Sequence, residues 1–231
     1  MLKLTPILLA LMYGLVMYRF SVWRTARELD AQSTELADPM LRTLCDQMAA
    51  ALELPCIRVH IYEIDPINGL AAPDGRIFIT RGFYNKFRQG EVSAAEMASV
   101  IAHELGHVAL GHSRRRMIDF SGQNALRTAL AMVLSRFIPG IGVWIANILT
   151  SLLAARLSRS DEYEADAYAA ALLTKAGIGV APQISLFEKL EKLTQVRMGA
   201  APAWLMRHPK TAARIAALRK LETRWQISEP S

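Results

Sequence analysis

Ser93-Ala94-Ala95-Glu96-Met97-Ala98-Ser99-Val100-Ile101-Ala102-His103-Glu104-Leu105-Gly106-His107 is the stretch from which the rest of the chain is read. Ser93 and Glu96 stand three apart ahead of an apolar run. That is the signature of a helix start in which each side chain satisfies the other's backbone N–H. Met97, Val100, Ile101, Leu105 and Val108 recur at helical spacing, so the helix is expected to run to Gly111. His103 and His107 then share one face, about 40° apart in azimuth and one turn apart in height. Two imidazoles so placed reach a single ion. Glu104 lies beside that ion rather than on it, where its carboxylate can hold a water and take its proton. The His-Glu-x-x-His pattern therefore points to a catalytic metal rather than a surface pair of histidines.

A catalytic zinc needs a third protein ligand and an open position. Ser160-Asp161-Glu162-Tyr163-Glu164-Ala165-Asp166 supplies carboxylates downstream, on a helix expected from about Ser160 to Ala176. Glu162 and Asp166 are four apart on one face. One could ligate while the other orients a ligand imidazole. The spacing also suits an ordinary acidic helix start that favours the N-terminal dipole. Glu164 points elsewhere. His112 falls nine residues after His103, where a three-histidine zinc motif needs ten, so it is expected to be structural. His60, on a likely strand, is also expected to be structural.

Around this centre the chain is well punctuated. Asp38-Pro39 reads as a helix cap followed by proline at the first helical position, and Leu41, Leu44, Cys45, Met48 and Leu52 follow at helical spacing. Ile57–Ile64 and Arg76–Thr80 read as strands separated by turns at Asp65–Gly69 and Pro73–Gly75. Helices are expected over Pro182–Val196 and from Pro209 to about Arg224. Residues 124–155 form a greasy block with a Pro139-Gly140 break, read as two buried helices in preference to a membrane hairpin. Cys45 and Cys56 are too few for a disulfide scaffold and are expected to be buried free thiols.

The 231 residues are 52% hydrophobic and 21% charged, which excludes a disordered chain, a coiled coil and a collagen-like repeat. The net charge of +6 reads as a modestly basic enzyme surface, with contact with phospholipid or nucleic acid as the alternative. Arg114-Arg115-Arg116 is the longest basic run and has no interleaved aromatics, so nucleic acid is not expected as a partner. Residues 1–24 are expected to form an N-terminal membrane anchor, with a signal peptide or a buried or interfacial helix as alternatives. Residues 25–37 would be a helical stalk. Arg19, Arg24 and Arg27 weakly place the remainder of the chain on the cytoplasmic side, with the opposite side open.

Taken together, His103-Glu104-Leu105-Gly106-His107 with Gly111-His112, then Glu162-Tyr163-Glu164-Ala165-Asp166, resemble the HtpX-like zinc metallopeptidases. The CAAX prenyl protease and the OMA-type proteases are similar. Asn68–Gly75 leading into Ile77–Gly82, and Arg207-His208-Pro209 with Arg214-Ile215, look like two further motifs of that family. The resemblance runs from about Asp38 to Leu221. It implies an α+β, mainly helical, gluzincin-like fold with a small sheet packed on the zinc-binding helix, over residues 38–231. It implies one Zn2+ held by His103, His107 and Glu162. Glu104 would be the general base and acid, and Asp166 would support a ligand. His208 would lie near the metal, as an oxyanion donor or a water-displacing ligand. The expected activity is endopeptidase hydrolysis of membrane-associated or misfolded polypeptides by metal-activated water, with Ile77–Thr80 offering a strand edge to the substrate. The alternative is a non-catalytic, zinc-containing, membrane-associated binding module. HtpX proper carries several clear spans where this chain has one short stretch, so membrane topology does not transfer.

Overall fold

The computed structural model describes residues 5–72, 74–112, 127, 130–131, 133–138, 141–195 and 211–228. The elements run α1 (Thr5–Ala31), β1 (Ser33–Glu35), α2 (Pro39–Ala51), β2 (Val59–Tyr62), β3 (Gly69–Ala71) and β4 (Ile77–Thr80). They continue with α3 (Arg81–Arg88), α4 (Ala94–Ala109), α5 (Gly142–Lys175), α6 (Ala181–Gln195) and α7 (Thr211–Ser228). The architecture is α+β and mainly helical, with one small sheet, and it fits a gluzincin-like fold.

The four strands are ordered β1-β2-β4-β3. β2 and β4 pair in parallel, with Val59 opposite Ile77 and Ile61 opposite Ile79. β1 and β3 are antiparallel to their neighbours and form the two edges. Alternation decides the faces. Val59, Ile61, Ile77 and Ile79 point into the main core beneath α4, whereas Phe78 joins Leu29 and Ala72 in a smaller cluster on the other face. The strand expected to offer an edge, Ile77–Thr80, is instead internal and wholly buried. The edge is β3.

α4 lies at the centre. Its N-terminus is closed as the sequence demands: Glu96 N–H donates to Ser93 Oγ at 3.2 Å, and Ser93 N–H donates to Glu96 Oε2 at 2.8 Å. Every residue from Glu96 to His107 is buried, because α2, α5, α6 and the sheet surround the helix. A helix covered on all sides must be apolar all round except where its polar groups find partners. Glu96 and Ser99 find partners near its start, and its other polar residues, His103, Glu104 and His107, are those of the site. α2 is capped by Asp38, whose Oδ1 accepts from Met40 N at 3.1 Å and Leu41 N at 3.3 Å, with Pro39 in the first turn.

Several expectations change. The helix expected from Ser160 starts at Gly142 and runs unbroken for 34 residues. The first part of it is not buried as expected of the 124–155 block: Val143, Trp144, Leu149 and Leu152 are exposed, with Ala146 and Thr150 turned inward. The helix expected over 25–37 stops at Ala31, and Ser33–Glu35 becomes the outer strand of the sheet. Cys45 is buried and Cys56 exposed, both as free thiols. Burial, followed by the neighbouring Asp46, pushes the Cys45 thiol up to about 12.

The transmembrane helix expected in residues 1–24 is not met. Among the described residues no helix is long and apolar enough to cross a membrane. Leu4–Tyr18 is the uncharged stretch. Its length is about 22 Å at 1.5 Å per residue, against roughly 30 Å of hydrocarbon. Arg19, Arg24, Arg27, Glu28 and Asp30 come next within the same helix.

Candidate active site

The site forms where α4 crosses α5. Gly106 makes the close crossing possible: a Cβ there would stand 3.0 Å from Ala165 O and 3.1 Å from Ala165 Cα. Backbone thus meets backbone, and Glu162, one turn back on α5, reaches the histidines of α4. His103, His107 and Glu162 are all buried, and one ligand atom from each lies within 4.8 Å of the others. The Nε2 atoms of His103 and His107 are 3.1 Å apart. Glu162 Oε2 is 3.5 Å from His103 Nε2, and its Oε1 is 3.5 Å from His107 Nε2.

These spacings fit a metal ion. Nitrogen and oxygen ligands about 2.0–2.1 Å from a tetrahedral zinc stand roughly 3.3 Å from one another. Three donor atoms converging without a cation would place electron-rich groups against each other in a buried site. The electrostatics agree that this spot favours positive charge. Burial opposes a charged His103, but the Asp166 and Glu162 carboxylates outweigh it and hold the imidazole's pKa up at about 9.

Asp166 faces the outer nitrogen of His103, with Oδ1 2.9 Å from Nδ1. Arg214 of α7 clamps Asp166 through two charge-assisted bonds of 2.6 Å, from Nε to Oδ2 and from Nη2 to Oδ1. Burial pushes the Asp166 carboxyl up, but Arg214 and His103 outweigh it and hold its pKa below the usual range. Arg214 is 1% exposed, also lies 3.6 Å from Glu162 Oε2, and covers the Phe187 ring. Glu104 is buried on the sheet side of α4, where a Cβ on Gly69 of β3 would come 3.3 Å from its Oε1.

The structure thus brings five of the six expected site residues together: His103, Glu104, His107, Glu162 and Asp166. His208 lies outside the described residues. His60 stays apart, its ring 5.2 Å from Phe78. Two residues expected to be uninvolved are part of the site. His112 is fully buried with Nδ1 3.0 Å from His107 Nδ1, and Glu164 turns toward His112 at 3.4 Å. Arg214 was legible only as part of a motif.

A sequence model described as Peptidase family M48 matches residues 35–222, most of the chain. The chain belongs to peptidase family M48. Its relatives within the HtpX-like branch include the metalloprotease LoiP of Escherichia coli, 30% identical over 179 residues, which are 78% of this chain and 68% of LoiP. The mitochondrial metalloendopeptidase OMA1 of Bos taurus is 26% identical over 170 residues, 71% of this chain and 32% of OMA1. A protease HtpX homolog of Prosthecochloris aestuarii is 25% identical over 234 residues, 85% of this chain and 76% of that protein. The chain therefore spans about two thirds of LoiP but only a third of bovine OMA1. Membership makes this a metalloprotease and gives the buried His-His-Glu group its meaning as a metal-binding group.

Proposed function

We propose that the chain is a zinc-dependent endopeptidase. The observation that supports it most is the buried convergence of His103, His107 and Glu162 beside a fourth buried group, Glu104, which the geometry leaves off the triad. His103, His107 and Glu162 would hold Zn2+, one per chain. Zinc, when bound, supplies a Lewis acid and a water acidified toward pKa ~7. Glu104 accepts the proton of the attacking water and delivers it to the leaving amine nitrogen. Asp166, clamped by Arg214, keeps the proton of His103 on Nδ1 and so keeps Nε2 available as a ligand. β3, an outer strand of the sheet, passes beside Glu104, and an extended polypeptide laid along this strand would carry its peptide bond past that carboxylate. Main-chain pairing of this kind makes cleavage weakly dependent on sequence. On the family resemblance alone, His208 would serve as an oxyanion donor or a water-displacing ligand.

Membrane-associated or misfolded polypeptides are the proposed substrates. Met12, Leu15, Val16, Phe20 and Trp23 are exposed on α1 with Arg19, Arg24 and Arg27 on the same helix. This pattern suits a helix lying at an anionic lipid surface, not crossing it.

Glu104→Gln tests the mechanism. It should retain one equivalent of zinc and lose about 10²–10⁴-fold in turnover of an unfolded polypeptide. Full proteolysis with zinc intact would overturn the role of Glu104, and stoichiometric zinc with no wild-type cleavage would favour the non-catalytic alternative.

A further inference from the structure

The two histidines of the metal site are backed differently. His103 rests on a carboxylate. His107 rests on another imidazole: its Nδ1 is 3.0 Å from Nδ1 of His112, and both rings are buried. We propose that His112 is the positioning residue of His107, holding its ring by a directed hydrogen-bond relay that ends at the carboxylate of Glu164. The inference rests on the reading of His103, His107 and Glu162 as a metal site.

The direction of the relay is set by the donor inventory. Two neutral imidazole nitrogens at hydrogen-bond distance need one proton between them. If His107 ligates through Nε2, that atom presents a lone pair, and the ring proton sits on Nδ1. His107 Nδ1–H therefore donates to His112 Nδ1. His112 in turn carries its proton on Nε2. That atom lies 3.4 Å from Glu164 Oε2, which accepts from it, and the Asp161 carboxylate 3.6 Å away adds electrostatic attraction for the N–H. Ser160 Oγ fixes Glu164 from the other side, donating to its Oε1 at 3.1 Å. The opposite tautomer would put a proton on His107 Nε2, aimed at His103 Nε2 and at the place of the ion.

The backbone is built to bring His112 back. α4 ends at Ala109 with Leu110 as its C-cap, and Gly111 adopts φ +70°. An L-residue pays about 1–2 kcal/mol for that left-handed conformation. The turn folds residue 112 under the last helical turn, onto His107. A continued helix would have carried it off the metal face. Glu164 is two residues after Glu162 on α5, so the element that supplies the third ligand also ends the relay.

The experiment compares His112→Phe, which fills the volume without an acceptor, with His112→Asn, whose Oδ1 sits where Nδ1 was. Zn2+ affinity is read by competition with a chromophoric chelator, and the ligand field by the visible spectrum of the Co2+-loaded protein. His112→Phe should bind Zn2+ about 10–100-fold more weakly and alter the Co2+ spectrum. His112→Asn should recover most of both. Glu164→Gln, at a half-exposed side chain, should weaken Zn2+ binding by a few-fold, and it keeps the test open if His112→Phe does not fold. Wild-type affinity in both His112→Phe and Glu164→Gln, or equal losses in the Phe and Asn variants, would overturn the relay. Wild-type and Glu104→Gln proteins serve as the reference. If neither binds Zn2+, the metal reading fails and takes the relay with it; if both bind, a negative result falls on His112 alone.

Discussion

The two halves of α5 are buried in the opposite order to their hydropathy. From Asp161 to Lys175 the helix carries Asp161, Glu162 and Asp166, yet all three are buried alongside Ala165, Ala169, Ala170 and Leu173. From Gly142 to Leu152 it is nearly all apolar, yet Trp144 is 63% and Leu152 62% exposed. Partners, not polarity, decide which half goes inside. The carboxylates are buried because each meets an imidazole or Arg214. A buried charge without such a partner would shift its pKa or unfold its surroundings. Among the described residues nothing covers Val143, Trp144, Leu149 and Leu152 of the greasy half to the same extent.

The sharpest way to break the polar half is to remove one partner. Asp166→Ala removes both 2.6 Å bonds to Arg214 and leaves the guanidinium buried, facing the more distant Glu162 and Glu104 carboxylates. The expected cost is about 3–5 kcal/mol in chemical denaturation, because the loss strands a charge rather than deleting a contact. Replacing Arg214 by Met in the same chain should recover part of that loss. If Asp166→Ala is as stable as the parent, the carboxylate is not what holds Arg214 inside.

Next in size is the crossing itself. Gly106→Val forces side-chain atoms against the Ala165 backbone and the Tyr168 Cβ, 3.0–3.3 Å from where its Cβ must go. Overpacking of this kind costs about 1–3 kcal/mol. Because α5 must retreat, Glu162 moves from the histidines, and Zn2+ affinity should fall together with stability. A stable Gly106→Val protein with full zinc affinity would show that the close crossing does not position the ligand.

The same distinction between local pattern and distant partner decides how much was legible in the sequence. The capping box, the two histidines and the i, i+4 carboxylates are local patterns, fixed by helix geometry alone, and α4 and Glu162–Asp166 could be placed from them. The long start of α5 was missed because an apolar run with exposed side chains reads like a buried one. Arg214 was missed as a clamp because its partner is 48 residues away and nothing local marks a basic residue as buried. His112 reads as structural because it falls nine residues after His103, where a three-histidine zinc motif needs ten, and that rule covers a ligand but not a residue that contacts His107. Gly111, with φ +70°, ends the helix and lets the chain turn back there. The strand at Ile77–Thr80 was found, but its place inside the sheet depends on pairing that no single segment encodes.

A smaller effect tests whether capping reaches the site from outside it. Glu96 closes the box at the start of α4 and also accepts from Ser185 Oγ at 2.6 Å and Lys189 Nζ at 2.8 Å on α6. Burial pushes its carboxyl up, but Lys189, Ser185 and the Ser93 N–H outweigh that and hold its pKa below the ordinary value. A depressed carboxylate contributes stability that is present above its unfolded pKa, about 4.3, and is lost as pH falls through the lower folded value. Glu96→Gln should therefore cost about 1 kcal/mol at pH 7. The gap between parent and variant should close as thermal melts are taken down toward pH 3. A gap that stays constant with pH would assign the effect to packing instead.

The smallest expected effect lies in the greasy half of α5, and it is the most pointed test of the contrast. Trp144→Ser and Leu152→Ser remove large apolar side chains, which in a core would cost several kcal/mol. Here more than half of each surface is already in water. Folding has removed little of it, so little transfer free energy is there to lose. The change in stability should stay within about 0.5 kcal/mol, and zinc affinity should match the parent. A loss of about 2 kcal/mol or more in either variant, the range of a buried site, would mean that this half is covered in solution, and that burial follows hydropathy along the whole of α5 after all.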